Sequence, residues 1–342
     1  MTPFRVGWYI HHHGQGHLTR LMAIAPHVAG DIVCFSSLPE PVDLPDNCTW
    51  VLLERDDSLD AKSGEPLHDR DPAAGGLLHW APLLHGGHRR RLTAIATVLD
   101  ASPVTAFVVD VSVEVTLFAR LLGIPPILIT QPGDRDDDPH HLAFRAASRI
   151  IAPWPGDLFQ PNHLKALSNV VYVGGITRFD SRSPSSARGT GVLLLGGAGG
   201  SAVSEASIAA AIDATPGYDW TVAGTTGRNG SAWLSDPWDA LCNAEVVVAW
   251  AGQNSIADIA AAGARAVVFP QDRPFEEQAQ SAKALKKSGL AIVESVWPAA
   301  AAWPALLQRA RSLQPEWSRW RTSGAAKRAA LEITSLAGGG PQ

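Results

Sequence analysis

The chain has 342 residues, of which 46% are hydrophobic and 18% charged, and its formal net charge is -5. This composition is typical of a globular protein, and the length exceeds that of one typical domain. The small negative charge argues against nucleic-acid binding, and no apolar run approaches the ~20 residues needed to span a bilayer.

The cysteines and the N-terminus indicate a cytoplasmic protein. Cys34, Cys48 and Cys242 are far apart in sequence, so we interpret them as free thiols in a reducing compartment. The first residues, MTPFRVGWYI, enter a predicted strand directly, without the basic segment and cleavage site of a secretory signal.

Short apolar strands alternate with helical patterns along the chain. In the first half the predicted strands are FRVGWYI, DIVCFSS, TWVLL, AFVVD, PILIT, RIIAP and VVYVGG. In the second half they are GVLLLGG, DWTVAG, EVVVAWAG, RAVVFP and GLAIVE. Continuous apolar strands separated by helices indicate parallel sheets covered on both faces, the doubly wound α/β architecture.

A stretch rich in Ser, Pro and Gly separates two similar halves. We take residues 177–190 as a linker between a first domain, 1–176, and a second domain, 191–314. Residues 315–342 are helical in pattern and are expected to pack back on one of the two domains, with the first as our assignment. Two facing domains of this kind place the carboxyl ends of both sheets around one cleft, where ligands bind.

The stretch YIHHHGQGHLTR follows the first strand and holds four histidines within seven positions. A metal site would use His13 and His17, but Gly14 and Gly16 between them argue against a helix-borne ligand pair. A dinucleotide fingerprint needs a third glycine where Thr19 stands, and an acid where the second strand ends in CFSS. We therefore expect a strand-to-helix turn that lines an active site.

His17 is the candidate general base of that site. The positive end of the helix dipole favours the neutral imidazole, and the two loop glycines let a substrate approach the backbone. His13 and these glycines would lie on the acceptor side. Asp110 ends the strand AFVVD and is expected to orient the imidazole, as in a His–Asp pair. The alternatives are that His17 only packs the turn and that Asp110 caps the helix beginning near Glu114.

A second glycine-rich turn, VLLLGGAGGS, joins a strand to a helix in the second half. Backbone N–H groups at a helix N-terminus suit a diphosphate, whereas the alternative is a tight turn without a ligand. The candidate phosphate-binding residues are Gly196, Gly197, Gly199, Gly200 and Ser201.

The segment VVVAWAGQNSIADIAAAGARAVVFPQDRPFEEQAQSAKAL, residues Val246–Leu285, carries the most specific pattern. This segment resembles the nucleotide-binding half of GT-B glycosyltransferases of family 28. The shared pattern is a strand, a turn of small residues and glycine, a helix with an acid followed by A-A-A-G, and a polar E/Q pair. The resemblance extends to the N-terminal G-x-G-H, to VGGITR and to WLSDPWDALCNAEVVV, and so covers nearly the whole chain. It implies the GT-B fold, two doubly wound Rossmann-like domains facing across a cleft.

The resemblance also implies a donor site in the second domain. Asp258 matches an acid that hydrogen-bonds the donor ribose, and Arg178 matches an arginine that reaches the diphosphate. Trp233 and Leu234 fall where the uracil is recognised. The turn near the phosphates and the sugar matches Gly252, Gln253, Asn254 and Ser255, and the pair that holds the sugar hydroxyls matches Glu277 and Gln278.

Two positions depart from the family pattern. Ala198 stands where the first glycine loop usually has Ser, which would loosen the phosphate contact. The polar pair is Glu–Gln instead of Gln–Gln, which leaves the identity of the donor sugar open.

Two further stretches have competing interpretations. DRDDD contains D-x-D, which binds manganese in another glycosyltransferase fold, but we expect an acidic loop at the cleft rim and no metal. The run from Leu77 to Leu84 contains Leu78, Trp80 and Leu83, and it precedes Arg89, Arg90 and Arg91. It is either a core helix with a solvated basic end or a contact with anionic lipid. The second alternative would imply a lipid-linked acceptor and a peripheral location at the inner face of the membrane.

These features together predict an inverting, metal-independent glycosyltransferase that needs no cofactor. It would transfer a sugar from a nucleotide diphosphate sugar, a UDP-sugar in our interpretation, to an unknown acceptor hydroxyl. One alternative is a nucleotide-sugar hydrolase of the same fold, whose G-x-G-H-x-x-R pattern GQGHLTR fits. Another is a non-catalytic sugar-nucleotide-binding protein.

Overall fold

The computed structural model describes residues 4–56, 71–184, 189–196, 203–224, 234 and 236–339. Within these residues the chain forms two parallel sheets, and every strand predicted from the sequence is present. The strands of the first sheet are β1 Arg5–Tyr9, β2 Asp31–Ser36, β3 Cys48–Leu52, β4 Ala106–Asp110, β5 Pro126–Ile129, β6 Arg149–Ala152 and β7 Val170–Tyr172. Those of the second are β8 Val192–Leu195, β9 Trp220–Ala223, β10 Val246–Trp250, β11 Ala266–Phe269 and β12 Ile292–Val293.

Helices connect the strands and cover both faces of each sheet. In the first half they are α1 Gly16–Ile24, α2 Gly86–Ala101, α3 Val113–Leu121, α4 Asp138–Ala146 and α5 Asn162–Lys165. In the second half they are α6 Glu205–Asp213, α7 Trp238–Asn243, α8 Gln253–Ala261, α9 Glu277–Ser288, α10 Trp303–Arg311 and α11 Ala325–Gly338.

The strand orders locate the ligand-binding edge of each sheet. Among the described strands the first sheet has the order β3-β2-β1-β4-β5-β6-β7 and the second β12-β11-β10-β8-β9. The order reverses between β1 and β4 in the first sheet and between β8 and β10 in the second. In open parallel sheets a ligand binds outside the carboxyl ends of the strands at this switch point.

Alternating side chains of the strands enter two different cores. In β1, Val6 and Trp8 pack with α1 and α11, whereas Tyr9 packs on the opposite face with β4 and α3. Gly7 is required in the same strand because a Cβ atom there would collide with the ring of Phe107 on β4. Burial on both faces explains why these strands read as continuous apolar runs.

The C-terminal segment returns from the second domain to the first. Trp317 and Trp320 are buried in the core of the second domain, where the Trp317 indole donates to the carbonyl of Ala264 at 2.7 Å. The alanine-rich face of α11, with Ile333, is buried in the core of the first domain. Arg328 fixes the helix there, since its Nε donates to the carbonyl of Val173 at 2.9 Å.

The two domains contact each other across the cleft through direct hydrogen bonds. The Asn254 side chain at the start of α8 donates to the carbonyl of Gly16 at 3.0 Å. The backbone N–H of Asp134 donates to the carbonyl of Phe275 at 2.7 Å. These contacts bring the carboxyl ends of both sheets to one cleft of about 940 Å³.

Candidate active site

His17 and Asp110 lie together at the switch point of the first sheet. β1 ends just before the histidine loop, and α1 begins at Gly16, which places His17 in the first turn of that helix. Asp110 is the last residue of β4, the neighbouring strand. The Nδ1 atom of His17 lies 3.0 Å from Oδ1 of Asp110, and the histidine lines the cleft. The remaining ring nitrogen, Nε2, is the one available to a substrate.

Arg20 is a third member of this cluster that the sequence interpretation did not assign. Its Nη1 donates to both carboxylate oxygens of Asp110, at 2.6 and 2.7 Å. Its Nη2 donates to Oε1 of Gln253, in the second domain, at 3.0 Å. The signal for it was present in the sequence: Arg20 is one helical turn after His17, and GQGHLTR ends on it.

Asp110 is fully buried and ionised. Burial alone would raise the pKa of its carboxyl group, but the charges of Arg20 and His17 and their hydrogen bonds outweigh it and lower the pKa below the usual value. The cap of α3 is Ser112, whose side chain accepts from the N–H of Val115. Capping of this helix is therefore not the role of Asp110.

The loop before His17 packs imidazole rings against one another. The ring centroid of His11 lies 4.8 Å from that of His13 and 5.6 Å from that of His17. Burial and the neighbouring histidines lower the pKa of His11 to about 3, so its ring is neutral at physiological pH. Gly14 has a φ of +76°, a conformation that favours glycine, and it lines the cleft with His13 and Gly16.

Val111 directly follows Asp110 in a strained backbone conformation. Its φ is +66°, which is unfavourable for a β-branched residue. This conformation turns the chain sharply from β4 into α3 and places Val111, Ser112 and Glu114 on the cleft wall. Such strain is concentrated at functional sites.

In the second domain, Asp258 is buried at the cleft with two partners. The hydroxyl of Thr177 donates to its Oδ1 at 2.6 Å, and the Nε of Arg178 donates to its Oδ2 at 3.1 Å. Burial raises the pKa of Asp258 despite the charge of Arg178 and these hydrogen bonds. Both Asp258 and Arg178 line the cleft, and the structure thus joins two residues that the resemblance assigned to ribose and diphosphate.

The start of α8 presents backbone N–H groups to the same cleft. Gly252 is the N-cap in an extended conformation, and no side chain from the described residues caps the first turn. Gln253, Asn254 and Ser255 follow on the cleft wall. Uncapped N–H groups at a helix N-terminus are suited to phosphate oxygens.

Glu277 and Gln278 open α9 and line the cleft, but they differ in their contacts. The Oε1 atom of Gln278 accepts from the backbone N–H of Gln271 at 2.9 Å. Burial raises the pKa of Glu277, and the charges of Arg135 and Arg20 oppose that effect. Glu277, at the start of α9 in the second domain, therefore lies near the cations of the first domain.

The first glycine loop of the second domain is described only at its start. Gly196 follows β8 and lines the cleft, as Leu234 does. Outside the described residues lie the remaining predicted positions of this loop and of the base pocket: Gly197, Ala198, Gly199, Gly200, Ser201 and Trp233.

A cluster that was not predicted as a group consists of three cleft residues, His79, Arg135 and His140, and the neighbouring Asp137. The ligand atoms of the two histidines and the aspartate lie within 4.8 Å of one another, a donor set that could hold a transition metal. Burial and the charge of Arg135 lower the pKa of His140 to about 4, so its ring is neutral.

The position of Arg135 opposes a metal ion at this cluster. Arg135 can only donate, and its Nη1 lies 2.9 Å from Nε2 of His140, so the proton of that ring is on Nδ1. Nδ1 then donates to Oδ1 of Asp137 at 2.6 Å, and Oδ2 accepts from Nε2 of His79 at 3.1 Å. The contacts describe a chain of hydrogen bonds that a metal ion on His140 would break.

The apolar and basic stretch is not the core helix with a solvated basic end that one of the two interpretations predicts. The run from Leu77 to Leu84 precedes α2 and is not a core helix, and Leu77, Leu83 and Leu84 are exposed. Arg91 is not part of a solvated basic end, because it is buried and pairs with Asp56. Among the described residues no helix is both long and apolar enough to cross a bilayer.

Comparison with known proteins identifies the second domain and the fold. Residues 236–296 match the family model of the glycosyltransferase family 28 C-terminal domain. Comparison with curated proteins finds no significant match.

The whole chain is similar in structure to several glycosyltransferases. A Polygonum tinctorium UDP-glucosyltransferase shares 16% identity at a TM-score of 0.67, over 98% of this chain and 99% of that one. The calicheamicin glycosyltransferase CalG4 shares 16% identity at a TM-score of 0.65, over the full length of both chains. MurG of Acinetobacter baumannii shares 15% identity at a TM-score of 0.56, over 98% of this chain and 99% of that one.

These findings confirm the resemblance and the fold class predicted from the sequence. The similarity over both domains gives the fold, and the family match covers the segment that carries the donor-site motif. The chain has the GT-B fold, and residues 236–296 of its second domain match the family 28 C-terminal domain.

Proposed function

We propose that the protein is an inverting glycosyltransferase that moves a sugar from a UDP-sugar to an acceptor hydroxyl without a metal ion. The observation that carries the proposal is the position of His17 and Asp110 at the switch point of one sheet, facing the uncapped start of α8 at the switch point of the other. A base on one wall and a diphosphate site on the opposite wall are what direct displacement at the anomeric carbon requires.

The proposed reaction is a single displacement. Nε2 of His17 takes the proton of the acceptor hydroxyl while its oxygen attacks the anomeric carbon from the face opposite the diphosphate. The bond between that carbon and the diphosphate oxygen breaks, and its electron pair stays on the leaving UDP. Asp110 stabilises the imidazolium that forms, because its carboxylate is ionised beside Nδ1.

The second domain stabilises the leaving group. The N–H groups at the start of α8 and the guanidinium of Arg178 supply positive charge to the diphosphate, which supports a reaction without a divalent ion. Asp258 is proposed to bind the ribose, and Glu277 with Gln278 the hydroxyls of the donor sugar. The uracil base is proposed from the family resemblance.

The experiment is to incubate the purified protein with a panel of nucleotide sugars, with and without cell extract as acceptor source, and to measure the released nucleotide. Release that needs the extract supports transfer, whereas equal release without it supports the hydrolase alternative. No release from any donor would favour the binding protein. The anomeric coupling constant of the product, by proton NMR, tests inversion.

His17→Ala is the variant that tests the base. A general base contributes about 10²–10⁴-fold to rate, so turnover should fall by that factor while UDP binding, measured by calorimetry, stays the same. His27→Ala is the matched control, because this exposed histidine follows α1 outside the cleft. A His17→Ala protein with normal turnover would leave the mechanism without its base.

A further inference from the structure

Arg20 connects the base to the donor domain. Its side chain is only 3% exposed, and one Nη atom is bonded to Asp110 while the other is bonded to Gln253. Asp110 in turn contacts His17. The contacts therefore connect Gln253 on α8 to Arg20, Arg20 to Asp110, and Asp110 to His17.

We propose that Arg20 is a positioning residue that sets how readily His17 binds a proton, through the carboxylate they share, and that Gln253 of the donor domain keeps it in place. This proposal rests on the proposed function of His17. It adds a residue to the mechanism and a route by which the packing of the two domains reaches the base.

The physical reason is competition for one negative charge. A carboxylate beside an imidazole favours its protonated form, and a buried guanidinium on the same carboxylate reduces that effect. Without Arg20 the full charge of Asp110 would act on His17, which would then hold its proton at higher pH. A base that is already protonated cannot accept the proton of the acceptor.

Besides Arg20, the charged and titratable groups around His17 come from three elements: the preceding loop, α9 and β4. His11 in the preceding loop is neutral, since its pKa is lowered to about 3. Glu277 at the start of α9 interacts electrostatically with His17, Arg20 and Arg135. Asp110 is the group in direct contact with Nδ1, at 3.0 Å, so the state of this carboxylate dominates.

Packing of the two domains holds the arginine on Asp110. The bond from Arg20 to Gln253 and the bond from Asn254 to the Gly16 carbonyl join the first turns of α1 and α8. If the domains separate, Arg20 loses its partner on α8 and is free to leave one carboxylate oxygen. The proton affinity of His17 then depends on the same contact that brings the donor to the cleft.

The test is a pH titration of the His17 side chain by NMR of ¹⁵N-histidine-labelled full-length protein, with the signal assigned from His17→Gln. In Arg20→Met the titration midpoint should move to higher pH by about one unit relative to the unsubstituted protein, a tenfold change in proton binding. Arg20→Lys keeps the charge and should move it less. Arg145→Met removes an exposed arginine from α4 and should not move it.

Gln253→Ala supplies the second variant, because it leaves Arg20 and its charge in place. It should move the midpoint in the same direction by a smaller amount. A folded Arg20→Met protein with an unchanged midpoint would overturn the proposal. If Arg20→Met does not fold, an unchanged titration midpoint of His17 in Gln253→Ala would overturn the proposal instead.

The titration measures no turnover, so its outcome is separate from that of the proposed function. Normal turnover in His17→Ala would refute the base, whatever the titration shows. An unmoved midpoint would remove Arg20 from the mechanism and leave the base in place.

Discussion

Replacement of Asp110 by Asn is the sharpest test of the buried cluster. Asp110 is completely buried, and its oxygens accept from Arg20 at 2.6 and 2.7 Å and face His17 at 3.0 Å. The amide is nearly the same size, so packing is retained, but the charge and one of the two acceptor oxygens are lost. Arg20, itself buried, then keeps its charge without a carboxylate.

The expected loss of stability follows from that unpaired charge. Breaking a buried ion pair by removing one partner costs about 3–5 kcal/mol. This is a large part of the roughly 5–15 kcal/mol that separates folded from unfolded states of typical proteins. Arg20→Met in the same protein removes the unpaired cation, so the double variant should be more stable than Asp110→Asn alone.

Urea unfolding followed by circular dichroism measures the free energy of unfolding of the parent protein, of Asp110→Asn and of the double variant. The reasoning is refuted if Asp110→Asn unfolds within about 0.5 kcal/mol of the parent, the range of neutral surface changes. It is also refuted if the double variant is less stable than Asp110→Asn. The first result would mean that the charge is compensated by other groups, and the second that Arg20 stabilises the fold independently of Asp110.

The same cluster predicts an acid-dependent loss of stability. The pKa of Asp110 is lower in the folded protein than its ordinary value, so the unfolded chain binds the proton more tightly. The contribution of Asp110 is therefore complete above about pH 4, near the unfolded pKa, and is lost as the pH falls through the folded pKa. In Asp110→Asn this part of the pH dependence should be absent.

Three further predictions concern the donor site, metal dependence and backbone strain. Asp258→Ala should weaken UDP binding by about 1–3 kcal/mol in calorimetry. The control variant Asp213→Ala, at the end of α6, should not change UDP binding. Unchanged affinity in a folded Asp258→Ala protein would show that Asp258 does not bind the ribose. Turnover should persist in EDTA, and loss with recovery in manganese would favour a metal mechanism. Val111→Gly should raise the unfolding free energy by up to about 1 kcal/mol, since it removes the strain at φ +66°, whereas Val113→Gly in α3 should lower it. Lower stability of Val111→Gly in urea unfolding would show that its side-chain packing outweighs the strain.

The amino-acid pattern predicts the secondary structure well because the central strands of both sheets are apolar on both faces. AFVVD and EVVVAWAG cannot alternate between core and water, so the sequence alone indicates a parallel sheet between helices. The positions of His17, in the first turn of the helix after β1, and of Asp110, at the end of β4, are also set by local sequence. They follow from a glycine turn in one case and from a single acid after an apolar run in the other.

The contacts of Arg20 and Arg135 could not be predicted in this way. Arg20 lies on a short helix where a solvated arginine is the ordinary expectation, and its burial depends on Asp110, 90 residues away. Arg135 stands in an acidic stretch and would be expected to pair with its aspartates. The structure instead places it against His140 and the ring of Phe275 from the other domain.

The sequence by itself determined the strands, the doubly wound architecture and the residues that end each strand, because these depend on neighbours a few positions apart. Only the tertiary structure decided which of those ends meet. Pairing of β1 with β4 brings His17 to Asp110, and docking of α8 on α1 brings Gln253 to Arg20. The same is true of α11, whose small alanines fit a groove of the first domain although the preceding tryptophans are buried in the second. Such contacts are set by the packing of surfaces far apart in sequence, which a local pattern does not specify.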